Sequence, residues 1–317
     1  MSANRHTALE RLRAEHGSEV FELLGKGISG ADLASVLLEA AERRAAALTP
    51  VDVLGQYERD RFVRPSTIDG RRMAIVEHRA ISAIADEFDV LTLAPLTPLG
   101  THCVIAGVHQ NRVVTTMRGS EVAADPTNGL ALEAALRRRE RSRSAPRSAE
   151  SVSLAGVQRV TRAQQFSGPM SFAHFSLLGM VVAGRDIGSR SFERHALVQL
   201  LTAMVAVVRG AGADGAVVAT TDFDGRPGSV EALGEVAGEL GEQGIDVRSD
   251  ETRTAGRGYY PSWCFKLHAV FGDEELEVGD GGFVPWTQLL LSNAKERLLI
   301  GGIGLDRLAI GASRAGK

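Results

Sequence analysis

Residues 162–184 constrain the fold most strongly, because they contain two strand-like segments separated by a short turn. Residues 161–166 alternate in polarity, and the Ser-Gly-Pro cluster at 167–169 is typical of a turn. The mostly apolar residues 172–182 suit a strand that is buried in a sheet. We therefore predict an antiparallel pair of strands over this region.

Two side chains of this strand pair indicate a nucleotide site. Arg162 would stand on one strand and Phe175 on the other. A guanidinium is a planar fork that matches a phosphate, and an aromatic ring gives a flat base a stacking surface. The alternative at this point is that Phe175 belongs to the core and Arg162 to the solvated surface.

The overall composition predicts a globular protein with a large core. The chain has 317 residues, 44% of them hydrophobic, and its net charge of -3 does not suggest a protein that coats nucleic acid. Cys103 and Cys264 are far apart and show no metal-ligand spacing, so we expect neither a disulfide framework nor a zinc site, and a cytoplasmic location. Residues 196–208 form the longest apolar helical run, which is too short to span a bilayer, so we expect no membrane partner.

Helical periodicity dominates the first part of the chain. Apolar residues recur at helical spacing over residues 8–47, with a glycine-containing break at 25–30. We predict a helical N-terminal extension over residues 1–70 and a second domain over residues 71–317.

The second domain is predicted to be α+β. It begins with a helix over residues 72–88 and a strand that ends at Pro95, and two strands follow at 103–108 and 112–117, joined by a turn. Beyond them, strands and hairpins alternate with helices, and the last helices come near the end of the chain. That order is typical of a largely antiparallel sheet flanked by helices.

Two histidines flank the first of these short strands. His102 and His109 are seven residues apart, and the sequence offers no third ligand near them. We therefore expect turn or surface histidines rather than a metal site.

Three later segments combine turn residues or glycines with polar side chains. Residues 125–129 (DPTNG) would cap the helix that follows them. Residues 253–260 (RTAGRGYY) are glycine-rich but match neither GxGxxG nor a P-loop. Residues 298–310 (LLIGGIGLDRLAI) indicate a strand, a glycine turn and a helix, in which Gly304 lets the backbone approach a ligand or a packed helix and Arg307 lies one turn into the helix.

Taken in order, these segments resemble the catalytic core of class II aminoacyl-tRNA synthetases, and among them the histidyl branch. The resemblance rests on four places: the helix and strand that end at Pro95, the strand pair with Arg162-Ala163-Gln164 and residues 173–179, Tyr259-Tyr260 with the strand after them, and residues 301–308. It covers about residues 72–310 and implies the family's antiparallel sheet and a homodimer. Because only residues 311–317 follow, we expect no anticodon-binding domain and do not expect tRNA as a partner.

The resemblance implies an ATP site. Arg162 would hold the α-phosphate, Phe175 would stack on the adenine, and Arg307 would cover the other face of the base. Gln164 stands where the family has glutamate and would hydrogen-bond the base or ribose. Gly304 would let the nucleotide approach the backbone.

The resemblance also implies Mg²⁺ at the phosphates, with Asp280 or Glu277 as the protein ligand; a surface carboxylate is the alternative at these positions. The basic residue that the family places four positions before Phe175 is Ser171 here, and residues 165–172 contain no Lys or Arg. We expect this loop to hold the β- and γ-phosphates weakly.

On the substrate side the sequence departs from the family. The family's two substrate-binding carboxylates fall at Thr127 and Val181, which suggests an acid without a free α-amino group, because a buried ammonium would lack a partner. The family's catalytic arginine falls at Ala255; we assign its role to Arg257, with Arg253 as a second substitute. The expected substrate contacts are Thr127, Leu177, Val181, Tyr259 and Tyr260.

Two functions follow from the resemblance. The first is ATP-dependent activation of a carboxylic or amino acid as an acyl-adenylate and its transfer to an acceptor other than tRNA, with Arg162, Arg307 and Arg257 as catalytic residues. The alternative is a non-catalytic paralogue, similar to the regulatory subunit of ATP phosphoribosyltransferase, that acts on a partner enzyme. We favour the adenylate-forming ligase.

Overall fold

The computed structural model describes residues 2–145, 148–164 and 172–316, without the side chains of residues 2–6. The chain divides into two compact units. The first contains residues 1–61 and 115–120, and the second contains residues 62–114 and 121–317.

The first unit is mainly helical. Polar side chains set the start of two of its helices: Ser29 accepts a hydrogen bond from the Asp32 backbone N–H, and Thr49 and Asp52 form a reciprocal capping box. The helices are α1 (Ser2–His16), α2 (Glu19–Glu22), α3 (Gly30–Ala46) and α4 (Pro50–Arg59).

The second unit is built on a mostly antiparallel sheet. Within the described residues, eight strands pair in the order β1-β4-β5-β10-β9-β8-β6-β7, and only the outer pairs β1–β4 and β6–β7 are parallel. The strands of the unit are β1 (Asp89–Val90), β2 (Leu96–Pro98), β3 (Ser120–Val122), β4 (Val152–Thr161), β5 (His174–Arg185), β6 (Gly215–Asp222), β7 (Asp246–Ser249), β8 (Trp263–Phe271), β9 (Glu274–Val284) and β10 (Glu296–Gly304).

Helices cover both faces of this sheet. They are α5 (Gly70–Ser82), α6 (Pro126–Ser144), α7 (Ser191–Gly210), α8 (Ser229–Glu242), α9 (Trp286–Leu291) and α10 (Leu305–Arg314). The predicted α+β class with a largely antiparallel sheet is confirmed.

Alternation along β5 assigns its side chains to two hydrophobic clusters. Leu178 and Met180 lie in one cluster with Met204 of α7. Val181 points the other way and lies with Leu130 of α6 in the second cluster. Both faces are buried, which explains why this strand reads as a nearly continuous apolar run.

Helix α7 is the one described helix that is long and apolar enough to cross a membrane, with a mean hydropathy of 1.2. Its Leu200, Leu201 and Met204 are fully buried in the hydrophobic core. This is the environment of a core helix.

A glycine lets α6 lie directly on the sheet. A Cβ atom at Gly179 of β5 would come within 2.7 Å of Pro126 Cγ, the first residue of α6. Because glycine has no such atom, the start of α6 can sit against β5. This contact places the residue before the helix, Asp125, beside the carboxyl-terminal end of β4.

The local predictions were partly wrong. The strand pair in the opening region exists, but its first strand ends at Thr161 instead of beginning there, and residues 165–171 lie outside the described part of the chain. Residues 103–108 and 112–117 are not strands: Thr101–Ile105 forms a π-helical turn and Gln110–Arg112 a 3₁₀ turn.

Buried Glu121 explains these turns. Its carboxylate accepts hydrogen bonds from the backbone N–H groups of Gly100 and His102 and lies 2.6 Å from His102 Nδ1. His102 Nε2 accepts from the Ala124 backbone N–H at 3.0 Å, so Nδ1 carries the proton and donates to Glu121. His102 is therefore a turn residue, as one of the two expectations had it, but it is 1% exposed and does not lie on the surface.

Candidate functional site

Two adjacent cavities lie in the second unit. The first has a volume of about 290 Å³ and brings the opening strand pair next to the end of β10 and the start of α10. The residues that line it are Asp125, Arg162, Phe172, Phe175, Leu177, Glu277, Val278, Gly279, Asp280, Gly302, Gly304, Asp306 and Arg307. Five of the sequence-predicted nucleotide and substrate residues are thus in one place: Arg162, Phe175, Leu177, Gly304 and Arg307.

The second cavity has a volume of about 370 Å³ and shares part of its wall with the first. The shared residues are Asp125, Arg162, Glu277 and Asp280. The predicted residues Gln164, Tyr259 and Tyr260 line only the second cavity.

Arg162 is fixed at the boundary between the cavities. Its Nε donates to the Ala124 carbonyl at 3.0 Å, and its Nη2 lies 3.2 Å from Asp125 Oδ2. The guanidinium carbon lies 5.2 Å from the centre of the Phe175 ring, within the range of a cation–π contact. The arginine and the aromatic ring predicted from the sequence are therefore direct neighbours.

Arg307 lies across the first cavity from this pair of strands. Its Nη1 donates to the Glu277 carbonyl at 2.9 Å, which holds the side chain along β9. Gly302, on the neighbouring strand, leaves space beside it: a Cβ atom at Gly302 would have no neighbour closer than 4.0 Å. No side chain covers the backbone of Gly302 on the cavity side, so a ligand can approach the backbone closely.

Asp125 lines both cavities, whereas the substrate contact predicted from the sequence of this segment was Thr127. It caps α6, with its Oδ1 accepting from the Thr127 backbone N–H at 2.9 Å and from the Thr127 hydroxyl at 2.7 Å. Thr127 itself is 3% exposed and lines neither cavity, so the structure does not bring this predicted substrate residue to the site. The sequence contained a signal for Asp125, because Asp before Pro at the start of a helix is a strong N-cap. A capping carboxylate uses one oxygen for the helix, and its second oxygen can face a cavity.

Val181 and Arg257 also lie elsewhere. Val181 is fully buried beneath α6 and lines neither cavity, so the structure does not bring this predicted substrate residue to the site. Arg257 stacks on the Phe223 ring at 4.8 Å and is likewise outside both cavities. Arg253, the second substitute, lines the second cavity instead. The turn at Gly256 and Gly258, both with positive φ, directs the two arginines to different sides.

Tyr260, Asp280 and Arg253 form a group in the second cavity. The Tyr260 hydroxyl donates to Asp280 Oδ2 at 3.2 Å, and Arg253 Nη2 lies 3.8 Å from the same oxygen. The surrounding cavity walls displace water and raise the pKa of Asp280, although solvent still reaches 54% of its side chain through the opening, and Arg253 opposes that rise. Burial also raises the pKa of the Tyr259 and Tyr260 hydroxyls, so both remain protonated donors.

Asp306 is a second acidic residue that sequence reasoning missed. It is 1% exposed, and its Oδ2 accepts from the Ser176 backbone N–H at 2.6 Å. Burial raises its pKa, while Ser176 and Arg159, whose Nη2 lies 3.7 Å from Oδ1, favour its charged form. Asp306 ties the first turn of α10 to β5 and so positions Arg307, one residue later.

The carboxylates predicted to hold Mg²⁺ already have protein partners. Among the described residues, no group of three or more His, Cys, Asp or Glu side chains could hold a metal ion. Glu277 is paired with Lys266 Nζ at 2.7 Å, and Asp280 is held by Tyr260 and Arg253. The carboxylates predicted to hold Mg²⁺ are thus engaged by protein donors.

Solved structures of similar fold identify the architecture. A histidine–tRNA ligase subunit from Alicyclobacillus acidocaldarius matches with a TM-score of 0.59 at 12% identity, over 82% of this chain and 98% of that one. An ATP phosphoribosyltransferase regulatory subunit/histidyl-tRNA synthetase from Bacillus halodurans matches with a TM-score of 0.56 at 16% identity, over 78% and 82% of the two chains. The apo histidyl-tRNA synthetase of S. aureus matches with a TM-score of 0.59 at 12% identity, over 78% and 67%. No protein-family model and no curated protein sequence matches the chain.

The chain therefore has the class II synthetase-like fold. Within that class, its fold is that of histidyl-tRNA synthetase and of the ATP phosphoribosyltransferase regulatory subunit, which confirms the resemblance seen in the sequence. At this level of identity the likeness concerns the fold alone.

Proposed function

We propose that the protein activates a small amino acid with ATP as an acyl-adenylate and passes the acyl group to an acceptor other than tRNA. One observation carries the proposal: the two cavities share a wall that contains Arg162, Asp125 and Asp280. A nucleotide in the first cavity and a small acid in the second would meet at that wall.

The first cavity has the groups that an adenine nucleotide needs. Phe175 offers a stacking face for the base, and Arg307 stands opposite with a guanidinium that can cover a base or bind phosphate. Gly302 and Gly304 keep side chains out of the space between them. This arrangement supports the proposed ATP site, with Gln164 entering from the second cavity.

Arg162 stands where the reaction would take place. In the proposed step, a carboxylate oxygen of the acid attacks the α-phosphorus of ATP, the new O–P bond gives the acyl-adenylate, and the bond to pyrophosphate breaks. Negative charge builds up on the α-phosphoryl oxygens during this exchange. The Arg162 guanidinium is fixed in advance by Ala124 and Asp125, so it can stabilise that charge with little reorganisation.

Two carboxylates now permit an amino group on the substrate. The sequence suggested an acid without a free amine because the family's carboxylate positions are Thr127 and Val181. Asp125 and Asp280 supply negative charge at the shared wall instead. An α-ammonium placed there would have ionic partners, which offsets much of the cost of removing it from water.

Pyrophosphate exchange tests this function. The purified protein is incubated with ATP, Mg²⁺, labelled pyrophosphate and single acids from a panel of amino and carboxylic acids. We expect exchange with a subset of the acids and a loss of about 100-fold or more in Arg162→Ala and Arg307→Ala. Arg314→Ala, an exposed arginine on the same helix as Arg307, is the matched control and should keep the parent rate. Absence of exchange with every acid would exclude the reaction.

A second function is favoured by one observation at the same site. Both predicted metal carboxylates, Asp280 and Glu277, are engaged by neighbouring donors, and Arg307 Nη1 is bound to a backbone carbonyl. Such a site would bind small molecules without turning ATP over, as expected of a regulatory subunit similar to that of ATP phosphoribosyltransferase. If this second function is correct, the protein should show no pyrophosphate exchange with any acid. It should also co-elute with a phosphoribosyltransferase catalytic subunit and stimulate that subunit's activity.

We also propose that the chain forms a homodimer in the cytoplasm. The support lies beside Pro95, where three large apolar side chains are exposed: Leu96 by 44%, Leu99 by 53% and Val104 by 78%. Exposed apolar groups so close together are typical of an interaction surface. Sedimentation equilibrium of the parent and of Val104→Asp tests this, since a dimer through this surface should dissociate in the variant.

A further inference from the structure

We propose that the second cavity selects an amino acid whose side chain ends in a hydrogen-bond acceptor, a carboxylate or a carboxamide. The inference rests on the proposed function, because it assumes that the second cavity holds the acid. It concerns the identity of that acid, which neither the fold nor the shared wall specifies.

Two buried donors of residues that line the second cavity have no partner in the part of the chain that the structure describes. Arg253 is 7% exposed; its Nε donates to the Ala255 carbonyl at 2.9 Å, but its buried Nη1 has no hydrogen-bond partner among the described residues. Asn128 is 1% exposed, and its buried Nδ2 also has no hydrogen-bond partner among the described residues. Buried donors are almost always paired in folded proteins. Both residues line the same cavity, so a ligand that brings acceptors into it would explain the two orphaned donors.

The position of these donors indicates which part of the ligand they contact. The reacting carboxylate must lie at the shared wall near Arg162, because it attacks a phosphorus atom held in the first cavity. Arg253 and Asn128 line only the second cavity. They are therefore placed for the end of the substrate away from the reacting carboxylate, which in an α-amino acid is the side chain.

The charges around the cavity agree with an acidic or amide side chain. Three ion pairs join Arg162 to Asp125, Lys266 to Glu277 and Arg253 to Asp280, with N–O distances of 3.2, 2.7 and 3.8 Å. Arg112 adds a further cation to the described lining. The surplus positive charge favours a ligand with an anionic or strongly accepting side chain.

An apolar side chain would be rejected by the same groups. It would cover Arg253 Nη1 and Asn128 Nδ2 without pairing them and would remove whatever water reaches them. Sites built to hydrogen-bond a substrate reject analogues that lack the bonding group far more strongly than apolar pockets reject an extra methylene. The selectivity should therefore be large and easy to measure.

The test measures binding without ATP. Isothermal titration calorimetry with the full chain uses L-glutamate, L-glutamine, L-aspartate and L-asparagine against L-leucine, L-methionine and L-histidine as probes. We expect at least one of the first four to bind about tenfold or more tightly than all of the last three. Equal or tighter binding of an apolar or basic amino acid, or no binding of any probe, would overturn the inference.

Two variants assign the selectivity to the two donors. Asn128→Asp replaces the Nδ2 donor by an oxygen and lies in the first turn of α6, where a carboxylate is compatible with the helix. Arg253→Met removes the guanidinium and keeps an unbranched side chain, and the exposed Arg248→Met is its matched control. We expect each of the first two to lower the affinity for the preferred probe about tenfold or more, and the control to leave it unchanged. Folding of each variant is checked by its thermal unfolding midpoint.

The outcomes separate this inference from the proposed function. Selective binding of an acidic or amide amino acid without pyrophosphate exchange would retain the inference and remove the ligase. Exchange supported by leucine or histidine alone would retain the ligase and overturn the inference. If the variants bind all probes like the parent, the donors do not select the side chain and the inference also fails.

Discussion

Gly302 sets the free space in the first cavity, and its substitution separates packing from ligand binding. In Gly302→Val the new side chain would project into the cavity, where a Cβ atom has no protein neighbour closer than 4.0 Å. We expect the free energy of unfolding to change by less than about 1 kcal/mol, since no core group is displaced. ATP binding, measured by fluorescence with a labelled analogue, should fall about tenfold or more, because the ligand would have to occupy the same volume as the valine.

Gly179→Ala is the contrasting variant for the same measurement. Its Cβ would lie 2.7 Å from Pro126 Cγ. We expect a loss of about 1–3 kcal/mol of stability from this overpacking. If Gly302→Val proves as destabilising as Gly179→Ala, then the space beside Gly302 is needed for the fold and not for a ligand.

Glu121 should make the free energy of unfolding of the second unit depend on pH in the acidic range. Burial opposes its ionisation, but hydrogen bonds from Gln110, from the His102 backbone and side chain, and from Gly100 outweigh burial and lower its pKa below 4.5. Its stabilising contribution is therefore complete above about pH 4.5 and is lost as pH falls through the lowered pKa. Urea unfolding of the parent and of Glu121→Gln over about pH 3–7 should show a stability difference that shrinks toward low pH.

The comparison with Glu121→Gln is necessary because other carboxylates act in the opposite direction. The pKa values of Asp280 and Asp306 are raised, chiefly by burial, so their ionisation disfavours the folded state as pH rises through the raised values. Both residues are present in parent and variant, and their effects cancel in the difference. A difference that stayed constant across this range would show that the pKa of Glu121 is the same in the folded and unfolded states.

Helix α6 serves both as a structural layer and as a support for the site, and its cap residue can be used to separate the two roles. Asp125→Asn keeps a side-chain oxygen for the Thr127 N–H, so the helix cap should survive and stability should change little. Asp125→Ala removes the cap and should cost about 1 kcal/mol. Both variants remove the negative charge at the shared wall.

We therefore expect Asp125→Asn and Asp125→Ala to weaken amino acid binding to a similar extent while differing in stability. Calorimetric titration and thermal unfolding measure the two effects on the same samples. Loss of binding in the alanine variant alone would mean that Asp125 contributes to the site only through the helix cap.

The far end of α6 is held to β10 by a buried ion pair. Arg138 Nε and Nη2 donate to the two oxygens of Glu296 at 2.9 and 3.1 Å, and the two side chains are 2% and 0% exposed. Arg138→Met alone should cost about 3–5 kcal/mol, because it leaves a buried carboxylate without its partner. Arg138→Met combined with Glu296→Met should recover much of that loss in urea unfolding. Additive losses would show that the two side chains are not energetically coupled.

Across the whole molecule, the sequence predicted the architecture better than the individual contacts. Hydrophobic patterning was sufficient for the antiparallel sheet, because period-2 and apolar runs report which segments become strands. The meeting of Arg162, Phe175 and Arg307 was predicted from the resemblance to class II synthetases.

The errors concern which of several neighbouring side chains faces the cavity. Thr127 was chosen instead of Asp125, two residues away along the chain, and Arg257 instead of Arg253, four residues away. Such choices depend on the geometry of a helix cap and of a turn through two glycines with positive φ, neither of which is encoded in polarity patterns. The turns around His102 were missed because they depend on Glu121, about twenty residues later in the chain.

The position of β10 has a consequence for biosynthesis. It is the last strand of the sheet along the chain, yet it lies between β5 and β9 in the middle of the sheet. Until it emerges from the ribosome, β1, β4 and β5 are separate from the β9-β8-β6-β7 group, and β5 and β9 each expose an unpaired edge. Until β10 joins them, the nascent chain therefore cannot bring the two halves of the sheet together to complete the cavities, and both open edges can pair with other strands.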